Sequence, residues 1–354
     1  MGNKYCFWLN TPSPHQLPTI ESFSEICDGE VYVITTLQLR KERIKQGLNQ
    51  SIPTNVNFIN LESISSRERL EKLIQCVNAK HYFTGINSYK LLYPWFKKAY
   101  HYNPLSISIF MEPYDNLGWK RYFRHLKYRF LATKYSNIKQ VLTTSNPELY
   151  LKCGFKNVNS FGYFVKPVIP SVDYFKTELS QYDPISLCYV GRISKNKGID
   201  KLLVALSQGN YNRPWNLQLF GAIVDDDIRD LSSNLGIGDR VIFHGVVPND
   251  FVKHKLCEYD AFVFPTKYDG WGVAVAEAAI AGLPVYVSDN AGISHYIEQY
   301  NFSNVFNVEH IDLVLNEIIN KGKLSYDVRQ ENINESIVLT SHYGAKLLYR
   351  YIGE

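Results

Sequence analysis

Short apolar runs alternate with helical periodicity from one end of the chain to the other, and this rhythm restricts the fold more than any other feature. Strand, helix and strand in turn, with strands apolar on both faces, build a parallel sheet covered by helices on each side. The first half predicts strands at Tyr5–Leu9, Val31–Thr35, Val56–Ile59, His81–Thr84, Ser106–Phe110 and Val141–Thr144. The second half restarts the rhythm at Leu187–Val190, Leu217–Phe220, Val241–Phe243, Ala261–Phe264 and Val285–Val287. Helical spacing is clearest over Arg67–Val77, where Leu70, Leu73, Ile74 and Val77 recur at three- and four-residue steps. No sequence repeat links the halves, so they share a plan and not a visible duplication.

A chain of 354 residues exceeds one ordinary core and fits two domains of about 150–180 residues each. The predicted domains are residues 1–165 and 171–340. The connector Tyr163–Asp173 carries Pro167 and Pro170, which break helices and stiffen an extended segment; the hinge is placed at Lys166–Pro170. The helical stretch Ser341–Ile352 is expected to carry residues 341–354 back onto the first domain. With 45% hydrophobic residues both halves can bury a core, and a formal charge of +4 is too small to argue for a nucleic-acid partner. The six cysteines are scattered, with no CxxC pair, which argues against a disulfide framework or a zinc site and for a reducing cytosol. The opening MGNKYCFWLN reads as a first strand and not a signal peptide, Cys6 spoils a myristoylation motif, and no apolar run is long enough to span a membrane.

The most informative segment is Tyr259–Ile297: a buried strand, a loop ending in Asp269-Gly-Trp-Gly272, an Ala-rich helix, and a second buried strand after Pro284. Such a unit aims the positive end of a helix dipole and free backbone N–H groups at one point above the sheet edge, which suits a phosphate. Asp269 and Glu277 flank that point as hydroxyl acceptors, Glu277 leaning back toward the helix start. Upstream, strand Leu187–Val190 runs into Gly191-Arg-Ile-Ser-Lys-Asn-Lys-Gly198. Gly191 permits a sharp exit, Arg192 supplies a planar fork and Lys197 a compact charge, together suited to a diphosphate. Simple solvated loop charges are the alternative.

Gly-Arg with Lys-Gly six residues on, then Pro-Thr-x-x-Asp-Gly-Trp-Gly and a helix bearing Glu277, resembles the C-terminal domain of family-4 glycosyltransferases. The resemblance covers roughly residues 185–300 well and the first half only in layout. It implies an α/β fold of GT-B type, two Rossmann-like domains facing across a cleft, and a retaining, metal-independent transfer of sugar from a nucleotide diphosphate. On this resemblance Arg192 and Lys197 hold the donor diphosphate and stabilise the leaving group, Glu277 accepts the ribose hydroxyls, and Gly272 and Val273 offer backbone N–H groups to phosphate. Asp269 stands where the family has a Glu that contacts the donor sugar, one methylene shorter here. Val247, in Phe243-His-Gly-Val-Val-Pro248, is expected against the nucleobase, and Gly221 lets backbone approach the nucleotide; structural turns are the alternative for both. No cofactor and no metal are expected. The implied partners are a nucleotide-sugar and a glycan or lipid-linked glycan acceptor, as in bacterial surface-polysaccharide assembly, which is analogy.

The first domain departs from the family. Where a Gly-Gly pair is usual after the first strand, this chain has Asn10-Thr-Pro-Ser-Pro-His15-Gln16, so His15 and Gln16 are candidate contacts to acceptor or donor phosphate, with an ordinary loop histidine as the alternative. Where the family tends to have a His close to the donor sugar, Glu112 stands, a carboxylate able to steady positive charge or take the acceptor proton. Between Asn116 and Pro147 there is no carboxylate but there are seven Lys and Arg residues. Trp119, Tyr122, Phe123, Leu126 and Phe130 recur there at helical spacing. Residues 119–134 are therefore either a surface for anionic lipid, putting a cytoplasmic protein at the inner face of the plasma membrane, or a helix with its stripe in the core. Asp225-Asp-Asp227 reads as capping the following helix and not as a metal motif. Rival readings are a non-transferase GT-B sugar-nucleotide enzyme and a catalytically silent nucleotide-sugar-binding subunit.

Overall fold

The computed structural model describes residues 2–36, 53–114, 119–144, 146–167 and 183–353. Most of the predicted Lys166–Pro170 hinge lies outside them. The described residues separate into two compact units, one built from those up to Phe164 together with residues 341–353, the other from those between Val165 and Thr340.

In the first unit the described elements are β1 (Asn3–Trp8), α1 (Leu17–Ile26), β2 (Gly29–Thr35), β3 (Asn57–Asn60), α2 (Arg67–Ile74), β4 (Ala79–Thr84), α3 (Tyr93–Tyr102), β5 (Ile107–Met111), α4 (Lys120–Lys134), β6 (Gln140–Thr143), α5 (Glu148–Leu151) and β7 (Val158–Ser160). The strands form one parallel sheet in the order β3-β2-β1-β4-β5-β6-β7. Its central strands are apolar on both faces, as helical cover on each side requires: Tyr5, Phe7 and Trp8 on β1 and Phe83 on β4 are sealed from solvent.

The second unit continues with β8 (Ile185–Val190), α6 (Ile199–Gln208), β9 (Trp215–Phe220), α7 (Asp227–Asn234), β10 (Val241–Gly245), α8 (Asn249–Leu256), β11 (Ala261–Phe264), α9 (Val273–Ile280), β12 (Val285–Ser288), α10 (Ser294–Ile297), β13 (Ser303–Phe306), α11 (Ile311–Lys321) and α12 (Tyr326–Glu335). Its parallel sheet has the order β10-β9-β8-β11-β12-β13. In both sheets the chain runs outward from a first strand, then returns to that strand's other side. This reversal leaves a crevice beyond the strand ends, between β1 and β4 in one unit and between β8 and β11 in the other.

The closing helix α13 (Ser341–Leu348) belongs to the first unit and packs on α1. Ser22 Oγ donates to Ser341 Oγ at 3.1 Å. A Cβ on Gly344 would sit 2.3 Å from the buried Phe164 ring, so only glycine lets the helix lie this close.

Two expectations need correction. Helix α2 stops at Ile74, and Val77, predicted on its apolar stripe, is 80% exposed in a turn closed by Ala79 N–H donating to Cys76 O; the chain must reverse there to enter β4. The Asp225–Asp227 run does not cap α7 by side chain. Asp225 Oδ2 instead accepts the Lys195 N–H at 2.6 Å and so braces the loop after β8. Of the two alternatives left open for α4, the core one falls: its apolar stripe is not buried. Leu126 is 60% exposed and Trp119 69%, with Tyr122, Phe123 and Phe130 between, and among the described helix residues only Leu131 and Ala132 are buried.

Candidate functional site

The loops leaving β8 and β11 meet where the second sheet reverses its order. Gly198 ends the β8 loop at φ +71°, and a Cβ there would lie 1.9 Å from Pro265 O. The two loops are therefore in backbone contact, and Lys267 N–H donates to Asn196 O at 3.0 Å. This contact carries Lys197 to Asp269: Lys197 Nζ lies 2.6 Å from Asp269 Oδ2 and donates to Tyr268 O at 2.8 Å. The Lys197 side chain is only 9% exposed. An ammonium has three donors, so two protein bonds leave one proton for a ligand. Asp269 is held from behind, its Oδ1 accepting Trp271 N–H at 3.0 Å and its backbone bonded to Asn290 and Gly292 of the β12 loop.

Arg192 stands exposed at the start of the same loop. Its carbonyl accepts from the buried Tyr189 hydroxyl at 2.9 Å. Burial first, then the Asp269 carboxylate, push that hydroxyl well above its ordinary pKa, while Arg192 pulls the other way. One phenol thus feels both the fork and the carboxylate. Tyr189 carried no signal in the sequence, because a Tyr in an apolar strand reads as core.

A second close approach aligns the neighbouring strand ends. Gly221, at φ +135° beyond β9, would place a Cβ 2.0 Å from Gly191 O, and its N–H donates to Gly245 O at 2.8 Å. Next along, the loop Val246–Pro248 holds Val247 and opens α8, whose Asn249 and Lys253 reach across to Glu277 on α9. Asn249 Nδ2 donates to Glu277 Oε1 at 3.2 Å, and Lys253 Nζ lies 3.4 Å from the same oxygen. The Glu277 side chain is 8% exposed. Burial raises its pKa, and Lys253 and Asn249 oppose that rise. Between Asp269 and Glu277, Gly272 begins α9 in a left-handed conformation without a side-chain cap, and Val273 is its first residue. Gly191, Arg192, Lys197, Gly221, Val247, Asp269, Gly272, Val273 and Glu277 thus all lie on the loops and the first two helical turns that border one sheet edge.

In the first unit the residues singled out form a separate group. Tyr163 Oη donates to Glu112 Oε1, and the His15 ring packs against the Tyr163 ring with centroids 5.9 Å apart. Burial raises the Tyr82 pKa well above its ordinary value, and Gln16 opposes that rise. His15, Gln16, Tyr82 and Tyr163 border one small cavity with Phe7 and Phe110. Burial, then Glu112, keep Tyr163 protonated far above the usual tyrosine range, so it acts as a donor to an otherwise exposed carboxylate. Tyr163 links two loops that the sequence treats separately, and nothing in its spacing announces that.

Comparison with known proteins follows the same division. The family described as Glycosyl transferases group 1 matches residues 173–335. An uncharacterized glycosyltransferase of Methanocaldococcus jannaschii is 28% identical over 156 residues, 44% of this chain and 40% of the relative. The lipopolysaccharide glucosyltransferase WaaG of Escherichia coli K12 is 30% identical over 140 residues, 38% of this chain and 36% of the relative. The chain thus spans well under half the length of these curated relatives. Solved structures align over the whole chain. The apo lipopolysaccharide outer core galactosyltransferase WaaB matches with a TM-score of 0.70 at 16% identity, covering 99% of both chains. HepE of Anabaena in complex with UDP and glucose matches with a TM-score of 0.65 at 16% identity, also covering 99% of both. The chain has the GT-B fold, and its residues 173–335 match the glycosyl transferases group 1 family.

Proposed function

We propose that this protein is a retaining, metal-independent glycosyltransferase that moves a sugar from a nucleotide diphosphate to a glycan or lipid-linked glycan in surface-polysaccharide synthesis. The observation that carries the reading is the Lys197–Asp269 pair, held at 2.6 Å where the second sheet reverses its strand order. A cation with a spare proton, the Arg192 fork and the first turn of α9 serve the leaving diphosphate. Charge grows on that group as the glycosidic bond breaks, so these contacts strengthen toward the transition state. Asp269 and Glu277 retain lone pairs for sugar and ribose hydroxyls. In the retaining route the acceptor attacks on the face the diphosphate leaves, and a phosphate oxygen takes its proton. Glu112, in the other unit, steadies positive charge at the anomeric carbon. His15 and Gln16 serve the acceptor side.

The protein acts in the cytoplasm against the inner face of the plasma membrane. Support comes from α4, with its exposed Trp119, Tyr122, Phe123, Leu126 and Phe130 among Lys120, Arg121, Arg124 and Lys127. Aromatic rings enter an interface while the cations meet anionic headgroups. Among the described residues no helix is long and apolar enough to cross a membrane.

The deciding experiment is a thermal-shift screen across UDP-, GDP-, dTDP- and ADP-sugars, followed by transfer assays with the stabilising donor. One donor should raise Tm and release its nucleotide quickly only when acceptor is added, with activity surviving EDTA. Rapid donor breakdown without acceptor would point to a hydrolase. Co-sedimentation with phosphatidylserine vesicles should be lost on charge reversal at Lys120, Arg121, Arg124 and Lys127; unchanged binding removes the lipid surface.

A further inference from the structure

Glu277 is a nearly buried carboxylate on an otherwise apolar helix, and its two oxygens differ. Oε1 takes both Asn249 Nδ2 at 3.2 Å and Lys253 Nζ at 3.4 Å. Among the described residues Oε2 has no such partner. Both supporting side chains come from α8, one helical turn apart on one face. The charged groups acting on Glu277 are Lys253 and Asp250, both from this helix, and they oppose each other. The neighbouring α9 side chains Val275, Ala276, Ala278 and Ala279 are buried and apolar, so they offer the carboxylate neither charge nor a hydrogen bond. Lys253 is itself only 18% exposed. It shares the last turn of its own helix with His254 and Lys255, so that end has other basic residues.

We infer that Lys253 and Asn249 are positioning residues of the nucleotide site: they occupy one oxygen of Glu277, hold the side chain ionised in a single orientation, and leave the other oxygen for a vicinal diol. The inference rests on the donor-binding reading above and adds two residues that never touch the ligand themselves. Without Lys253, the buried carboxyl takes up a proton more readily. One acceptor then becomes a donor, and the charge-assisted bonds to the diol weaken. Asn249 supplies direction but no charge, so its removal has a smaller effect of the same kind.

The test compares nucleotides with and without the diol. UDP, GDP and ADP and their 2′,3′-dideoxy counterparts are titrated into the full chain by calorimetry. The tightest ribonucleotide should exceed its dideoxy form by about tenfold or more, the scale of charged hydrogen bonds. In Lys253→Met that preference should fall to under about threefold, because affinity for the ribonucleotide drops while the dideoxy form is little changed. Lys253→Arg should restore it. The preference that survives in Lys253→Met should fall further as the pH is lowered, whereas in the unaltered protein it stays flat to lower pH. Lys197→Met should weaken both nucleotides alike and leave the ratio intact. Failure of every nucleotide to bind the unaltered protein overturns the donor-site reading, and this inference with it. Normal binding with an unchanged ratio in Lys253→Met overturns the inference alone. A melting curve for each variant separates misfolding from loss of the ratio, and if Lys253→Met fails to fold, Asn249→Ala supplies the same comparison.

Discussion

The two units are built on one strand plan but carry opposite rims. At their centres the orders β3-β2-β1-β4-β5 and β10-β9-β8-β11-β12 are the same. Beyond the strand ends they diverge. The second unit's rim is glycine and charge, with Gly191, Gly198, Gly221 and Gly272 at positive φ among Arg192, Lys197 and Asp269. Glycine lets backbone approach backbone, or a phosphate, without a Cβ between. The first unit's rim is proline and aromatic, with Pro12 and Pro14 before His15, and Tyr82, Phe110 and Tyr163 around one cavity. Rings and fixed φ give a shaped, less charged surface. The same strand plan thus carries two kinds of rim, and the difference sits entirely in the loops.

The sharpest break in this contrast is expected from Lys197→Met. Removing a cation from the leaving-group side should cut transfer by about 10³-fold, near 4 kcal/mol at the transition state, measured as kcat/KM with the stabilising donor. A loss under tenfold would shift the chemistry away from the β8 and β11 loops.

Next in size is a pH effect confined to the first unit. Trp8 Nε1 donates to His81 Nδ1 at 3.2 Å, and burial lowers the His81 pKa to about 4. The folded histidine stays neutral where the unfolded one, near its ordinary 6.5, takes a proton. The folded state therefore has this contribution in full above pH 6.5 and loses it as pH falls toward 4, by roughly 3 kcal/mol. Urea unfolding at pH 7 and pH 4.5 should show the loss, and His81→Gln should reduce it.

Glu112→Gln tests whether the first unit contributes chemistry or only shape. Transfer should fall about 10²-fold with donor binding unchanged, and Tyr163→Phe should reproduce part of that fall. Equal loss of donor binding would make the carboxylate a structural prop.

Smallest is Glu277→Gln without ligand. Burial raises this carboxyl's pKa, so the stability it contributes is present below the unfolded value near 4.5 and is lost as pH rises through the folded value. At pH 7 the Gln variant should be at least as stable as the unaltered protein, while losing nucleotide affinity. The stability gap should close below about pH 4.5.

Legibility followed the same division. The central strands of both units stood out, because a strand covered on both faces is an unbroken apolar run. The edge strands β7 and β13 did not: Val158-Asn-Ser160 and Ser303-Asn-Val-Phe306 carry polar residues that read as loop. The second unit's loops were readable because glycine beside Arg, Lys or Asp after a strand has few other uses. Tyr163, Tyr189, Asn249 and Lys253 were not, since each acts through a neighbour distant in sequence. In α4 the periodicity was plain, but whether its stripe faced core or solvent was not.

The sequence by itself determined the parallel α/β plan, the two-domain layout and the glycine and charged residue types on the loops of the second unit, because periodicity and backbone freedom are local properties of the chain. Tertiary structure alone decided that Lys197 would spend two of its donors on the β11 loop, that Glu277 would have one oxygen braced and one left over, and that Tyr163 would hold Glu112. Those outcomes depend on which loops the strand order brings side by side, and strand order is fixed by packing across the sheet and not by any neighbour in sequence.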